Sequence, residues 1–280
     1  MAPAGRASYV RSVVPGEPCM RHVILAAALL LGLSPRPGQA AEPLAAHKAL
    51  YDLTLESARG DVIAASGSMA YEVTDACDAW AVRQRLKMSL TNRDGQDIEM
   101  ISDYTTWESK DGLKMRFRLR QTTDDAVTSE LSGDAALDHT GGPGEVHYDM
   151  PADTTKKLPP GTLFPMMHTE ALLQAAEAGK KFLALPLFDG TGPDGAQDTA
   201  IAITGWAKPA ATNWPVLTPL PSTRVRIGFF DRGKHAQVPD YEVGMHYWSN
   251  GIADDLSMDF GDFVMHGKLS SLTLPAKPSC

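Results

Sequence analysis

The chain has 280 residues, with 26 Lys+Arg against 34 Asp+Glu, a formal net charge of −8 and 43% hydrophobic residues. That acidic balance argues against nucleic acid as a partner, because a polyanion needs a basic footprint. Three cysteines, Cys19, Cys77 and Cys280, are the whole thiol inventory, and their meaning depends on the compartment.

The N-terminal segment points to that compartment. Arg21 precedes an apolar run of eleven residues, Val23 to Leu33, which Ser34-Pro35 breaks before Gly38-Gln39-Ala40. Eleven residues are too few to span a bilayer. With small residues at −3 and −1, the pattern predicts a Sec-type signal peptide cut after Ala40. Residues 1–40 are therefore read as a removed secretory signal, with Met20 as an alternative start, and 41–280 as a single periplasmic domain. A lipoprotein signal would need a cysteine just after the apolar run, whereas Cys19 lies before it. The mature chain then carries 26 − 4 = 22 Lys+Arg and 34 − 1 = 33 Asp+Glu, a net charge near −11. No later segment approaches eighteen consecutive apolar residues, so no transmembrane span is expected.

From there the pattern is period-two alternation. Ala49, Tyr51, Leu53 and Leu55 share a face, as do Met69, Tyr71 and Val73. The clearest case runs from Trp80 to Leu90, with Trp80, Val82, Gln84, Leu86, Met88 and Leu90 on one side and Arg83, Arg85, Lys87 and Ser89 on the other. After a Lys110-Asp111-Gly112 turn, Leu113, Met115, Phe117 and Leu119 alternate with Lys114, Arg116, Arg118 and Arg120. These read as half-buried antiparallel strands. If the two basic strands are neighbours, Arg83, Arg85, Arg116 and Arg118 form a positive surface for lipid head groups or an acidic partner; otherwise they are charges that keep a sheet soluble.

One stretch near the middle has another period. Pro165 near its start and Gly179 after its end predict a helix over residues 166–178, about 163–179 with its flanks, and Lys180 and Lys181 suit its C-terminal dipole. Met166, Met167, Leu172 and Leu173 with four alanines make so broad an apolar face that the helix should be buried, plugging or lining a rolled sheet. Residues 206–222, with four prolines, read as an irregular connection. Strand alternation then returns in Val225, Ile227 and Phe229, in Tyr241, Val243, Met245 and Tyr247, and in Ile252, Leu256, Met258 and Phe260. Asn250-Gly251 signals a hairpin. The fold class is all-β, a long antiparallel sheet wound into an open, barrel-like spiral around one central helix.

Motifs for chemistry are absent or out of context. There is no GxSxG, HExxH or metal-ligand cysteine pair. Asp259-Phe260-Gly261 lacks the kinase elements that would give it meaning and reads as a strand end and turn. Asp189, Asp194 and Asp198 do not have calcium-loop spacing, and Asp254, Asp255, Asp259 and Asp262 read as a solvated edge. No cofactor or metal is predicted. Methionines fill cores by default, but they also suit cavities that take variable apolar ligands. With Cys19 gone, a Cys77–Cys280 disulfide is the favoured state in an oxidising compartment; free thiols or an intermolecular pair are the alternatives.

The ordered motifs Ala76-Cys77-Asp78-x-Trp80, Tyr104-x-x-Trp107-Glu108-Ser109-Lys110-Asp111-Gly112, Gly161-Thr162-Leu163-Phe164-Pro165-x-x-His168-Thr169, Leu187-Phe188-Asp189-Gly190 and Met258-Asp259-Phe260-Gly261-Asp262-Phe263 resemble the EipB family of alphaproteobacterial periplasmic cell-envelope integrity proteins. The resemblance covers nearly all of the mature chain. It implies a sheet spiralling around a helix, a disulfide at Cys77 and Cys280, a shape similar to periplasmic lipoprotein carriers, and an envelope role with no established catalysis. The expectation is a non-enzymatic periplasmic protein whose interior binds a lipid, acyl chain or lipoprotein. Alternatives are a scaffold with a filled core docking another periplasmic protein, or a hydrolase built on a histidine.

Overall fold

Alternation of apolar and polar side chains builds fourteen strands, and one helix interrupts them. The strands are β1 (His47–Ala58), β2 (Val62–Asp75), β3 (Ala79–Asn92), β4 (Asp97–Ser109), β5 (Lys114–Thr123), β6 (Ala126–Leu137), β7 (Gly144–Met150), β8 (Thr154–Leu158), β9 (Phe182–Leu187), β10 (Gln197–Ile203), β11 (Ser222–Phe230), β12 (Tyr241–Trp248), β13 (Ala253–Asp259) and β14 (Phe263–Thr273), with the helix α1 (Pro165–Glu177) between β8 and β9. This computed structural model describes residues 44–234 and 237–280, within one unit, Ala41–Cys280. The predicted signal segment and His235 lie outside the described residues.

All fourteen strands form one sheet in the order β8-β7-β6-β5-β4-β3-β2-β1-β14-β13-β12-β11-β10-β9. Each half is a meander of hairpins, and β1 joins the halves by pairing with both β2 and β14. The sheet is open, with β8 and β9 as its edges. It winds: Val73 on β2 and Val82 on β3 share one buried cluster with Ile201 on β10 and Val225 and Ile227 on β11, strands far apart in the sheet order. The β8 end in turn packs on the segment flanking β9, where Tyr148 and Leu158 meet Phe188 and Ala196. Tyr148 ties this overlap by donating to Gly192 O at 2.9 Å and accepting Gly195 N–H at 3.1 Å.

Inward rows are the expected ones: Trp80, Val82, Met88 and Leu90 on β3, and Met115, Phe117 and Leu119 on β5, are buried. The Asn250-Gly251 hairpin forms between β12 and β13, with Gly251 at φ 81°. Asp259-Phe260-Gly261 is the end of β13 and its turn, and Phe260 reaches solvent. The 206–221 connection is irregular and carries Leu217 and Leu220 onto Trp248 and Ile252 as a small satellite core.

Helix α1 starts on Pro165, whose missing N–H is harmless in the first turn. It ends in a Schellman motif: Gly179, at φ 77°, donates to Ala176 O at 3.0 Å and Lys180 N–H to Ala175 O at 2.9 Å. The expected cationic complement to its C-terminal dipole is corrected, since no basic residue sits in the last turn and Lys181 instead bonds Thr204 O at 2.6 Å.

Cys77, at φ 71° in the β2–β3 turn, is joined to Cys280 by a disulfide with a Cα–Cα distance of 5.8 Å. The segment after β14 thus returns to the turn that begins β3. Asp75 caps Cys77 N–H at 2.9 Å and pairs with Lys110 at 2.5 Å, and the Lys110 ammonium lies 4.6 Å from the centre of the Trp80 ring.

Candidate functional site: a cavity inside the spiral

The wound sheet surrounds a partly open cavity of about 480 Å³, within the range of small-molecule sites. Its lining comes from the inward rows of β1 to β5 and β11 to β13 and from the first turn of α1. Six methionines, Met69, Met88, Met100, Met166, Met245 and Met258, line it together with Tyr51, Leu86 and Leu256. Unbranched thioethers conform to apolar occupants of varied shape.

Polar groups gather where β4 passes the start of α1. The inward row of β4 there is Tyr104, Thr106 and Glu108. Glu108 is 1% exposed; its Oε2 accepts the Met166 N–H at 2.9 Å and its Oε1 the Thr106 hydroxyl at 3.3 Å. Burial pushes its carboxyl up to about 7, against the two hydrogen bonds and with a further push from Asp189. Asp189 follows β9 and is held by Thr191 N–H at 2.9 Å, Thr191 Oγ1 at 2.8 Å and Gln197 Nε2 at 2.9 Å. Its carboxyl is also raised by burial, which those three bonds oppose. The Tyr104 hydroxyl donates to the Asp189 carbonyl. Gly190, at φ 73°, permits the turn, and its α-carbon lies against the Phe117 ring.

His168 also lines the cavity. Its Nε2 lies 2.9 Å from Thr199 Oγ1, which spends its only proton on Leu185 O at 2.7 Å. Nε2 therefore carries the hydrogen; burial lowers the pKa to about 4, which favours the neutral ring near pH 7.

The structure separates the expected ligand residues. Met166 lines the cavity. Met167 packs toward Gly112 of the β4–β5 turn, and Leu172 and Leu173 are buried in the core between the helix and the sheet, so these three are packing residues. The lining positions of the helix are instead Pro165, Met166, His168 and Thr169. The proposed basic surface is also corrected: β4 lies between β3 and β5. Its outward row supplies acids, so Asp103 stands between Arg85 and Arg120 and pairs with Arg85 at 3.0 Å. Arg118 pairs with Glu130 at 3.0 Å, Arg116 lies over Trp107, and Arg83 faces Glu72 across the β2–β3 ladder. The outer face is an alternating ion-pair ladder.

Of the two acidic groups expected in solvent, Asp194, Asp198 and Asp262 are exposed, whereas Asp189, Asp254 and Asp259 are largely covered. Asp189 lines the cavity, whereas Asp194 pairs with Lys156 at 2.8 Å and Asp198 with Arg232. Asp254 bonds His246, Asp255 bonds Arg224 and His266, and Asp259 bonds Arg59. Among the described residues no group of three His, Cys, Asp or Glu is placed to hold a metal ion.

Sequence spacing did not reveal one convergence. His246 Nε2 lies 3.0 Å from Ser222 Oγ and its Nδ1 2.7 Å from Asp254 Oδ1, the distances of a nucleophile, base and orienting acid. These side chains come from adjacent strands, and none lines the cavity. Ser222 is 6% exposed, and its backbone N–H and carbonyl pair with Ala207. The relay ties three strands and presents no accessible nucleophile.

An open antiparallel sheet wound around one helix, with a methionine-walled, acid-bearing chamber, defines a barrel-like protein with an internal cavity. The chain belongs to the EipB-like family, whose model matches residues 38–275. A relative in Brucella abortus (strain 2308), named "Cell envelope integrity protein EipB", is 32% identical over 250 residues, which cover 82% of this chain and 84% of the relative. A crystal structure of a beta-barrel-like protein from Brucella abortus superposes with a TM-score of 0.77 at 30% identity, covering 84% of this chain and 100% of that one. Among the described residues no helix is long and apolar enough to cross a membrane.

Proposed function

We propose that this protein works in the periplasm, after removal of residues 1–40, as a non-enzymatic component of cell-envelope integrity, and that its chamber binds an acyl chain, as a lipid or as part of a lipoprotein. The envelope role rests on family membership and on the name of the Brucella relative. The observation that carries the binding role is the chamber of about 480 Å³ with six methionines in its wall. A folded domain gains stability from close packing, and an apolar space of this size inside the spiral is what an apolar ligand needs. The scaffold alternative, with a filled core, is disfavoured by the same chamber, and the hydrolase alternative by the covered Ser222.

The test is native mass spectrometry of protein purified without detergent, together with titration of the apolar fluorophore N-phenyl-1-naphthylamine. A co-purified lipid or saturable fluorescence enhancement is expected. Neither signal, in folded protein, would leave the scaffold reading in its place.

A further inference from the structure

The chamber is selective by charge, and this inference rests on reading it as a ligand site. Among the described residues its charged lining groups are Glu108, Asp189, Glu242 and Asp259, and no Lys or Arg lines it. Its two histidines, His47 and His168, both have pKa values lowered by burial, so they contribute no cation. Two of the lining acids are engaged by arginines that reach solvent: Arg59 bonds Asp259 at 2.9 Å, and Arg226 bonds Glu242, with both guanidinium side chains more than half exposed.

One element facing the chamber would otherwise attract an anion, the N-terminus of α1. It is taken, because Met166 N–H already donates to the Glu108 carboxylate at 2.9 Å. Glu108 and Asp189 lie close enough that the charge of Asp189 disfavours ionisation at Glu108, and Tyr104 is in the field of both. A ligand carboxylate or phosphate brought here would meet like charge in a poorly solvated space, with no cation to compensate. A hydroxyl, amide or ammonium group would instead find carboxylate oxygens able to accept from it.

We propose that the chamber takes an alkyl or acyl chain whose polar end donates hydrogen bonds and carries no negative charge, with that end at Glu108 and Asp189 and the chain along Met69, Met88, Met245 and Met258. An acyl chain in amide linkage to an amine satisfies this description; a free fatty acid does not.

The experiment is displacement of N-phenyl-1-naphthylamine from the mature protein at about pH 8 by ligands of one chain length: dodecanamide, dodecanol, dodecylamine, dodecanoate and dodecyl phosphate. The first three should compete at least roughly tenfold more tightly than the two anions. Glu108→Gln, which keeps an acceptor for Met166 N–H, should narrow that gap several-fold, and Asp189→Asn provides a second, independent variant. If the fluorophore binds and dodecanoate competes as well as dodecanamide, the charge selectivity is overturned while the binding site stands. If selectivity holds but neither variant narrows it, the assignment to these two acids is overturned. If the fluorophore does not bind folded protein, the binding reading falls and this inference with it.

Discussion

Glu108, on β4, caps helix α1 from outside: its carboxylate accepts the Met166 N–H at 2.9 Å, while Phe164, the residue at the helix's own N-cap position, offers no side-chain acceptor. One group thus satisfies a buried helix terminus, anchors the helix to β4 and places an acid in the chamber wall. Its partner residue Met166 contributes to the same wall. The cap and the helix position are therefore coupled to the chamber wall through a single side chain.

That coupling predicts a pH signature. Glu108 has its ordinary value of 4.5 raised to about 7, so between those values the unfolded chain binds fewer protons and stability falls as pH rises. His168 is lowered from 6.5 to about 4, so across that span the unfolded chain binds more protons and stability falls as pH falls. The two slopes oppose each other where they overlap. Relative to wild type, Glu108→Gln should gain stability as pH rises from 4.5 to 7, by up to ~3 kcal/mol. His168→Gln should show the reverse trend, gaining as pH falls toward 4. Urea denaturation at a series of pH values reads both; parallel curves for variant and wild type would contradict the burial of these groups.

Removal of either half of the disulfide should matter equally. With a sequence separation of 203 from Cys77 to Cys280, loop-closure entropy places its contribution at up to about 5 kcal/mol. Cys77→Ser and Cys280→Ser should each lower thermal stability to the same extent, and the double variant no further. Thiol labelling of unreduced, denatured mature protein should find no free cysteine.

Gly190 holds Asp189 in position. An alanine there would adopt φ 73° and place its Cβ 2.4 Å from a Phe117 ring carbon. Gly190→Ala should cost about 2–4 kcal/mol by combined backbone strain and overpacking, read by chemical denaturation. It should also weaken fluorophore binding more than a substitution of equal stability cost on the outer face.

The Ser222–His246–Asp254 relay should be chemically silent. A fluorophosphonate reagent is expected to leave the native protein unlabelled, and Ser222→Ala to lower stability by about 1 kcal/mol through loss of the His246 bond. Labelling abolished by Ser222→Ala would assign hydrolytic chemistry instead.

Much of the architecture is legible as local pattern. The inward rows of β3 and β5 read clearly because one face is packed with apolar side chains and the other carries charge to solvent. The helix is bounded by Pro165 and Gly179, each doing what its backbone chemistry allows. β4 shows no such alternation, since its inward residues Ser102, Tyr104, Thr106 and Glu108 line the chamber and are polar. The strand that builds the site is thus the one whose site residues erase its pattern.

What the sequence by itself determined is the strongly alternating strands such as β3 and β5, the turns, the single helix and the cysteines Cys77 and Cys280, because pitch, turn chemistry and residue identity are local. Only the tertiary structure decided that β4 separates the basic strands, that Leu172 and Leu173 pack while His168 lines, and that Glu108 meets Asp189 at the helix start. Those outcomes depend on how far a fourteen-stranded sheet winds before its ends overlap. Winding is set by strand twist summed over the whole sheet and by the packing that brings Val82 and Val225 into one core cluster, which no stretch of neighbouring residues contains.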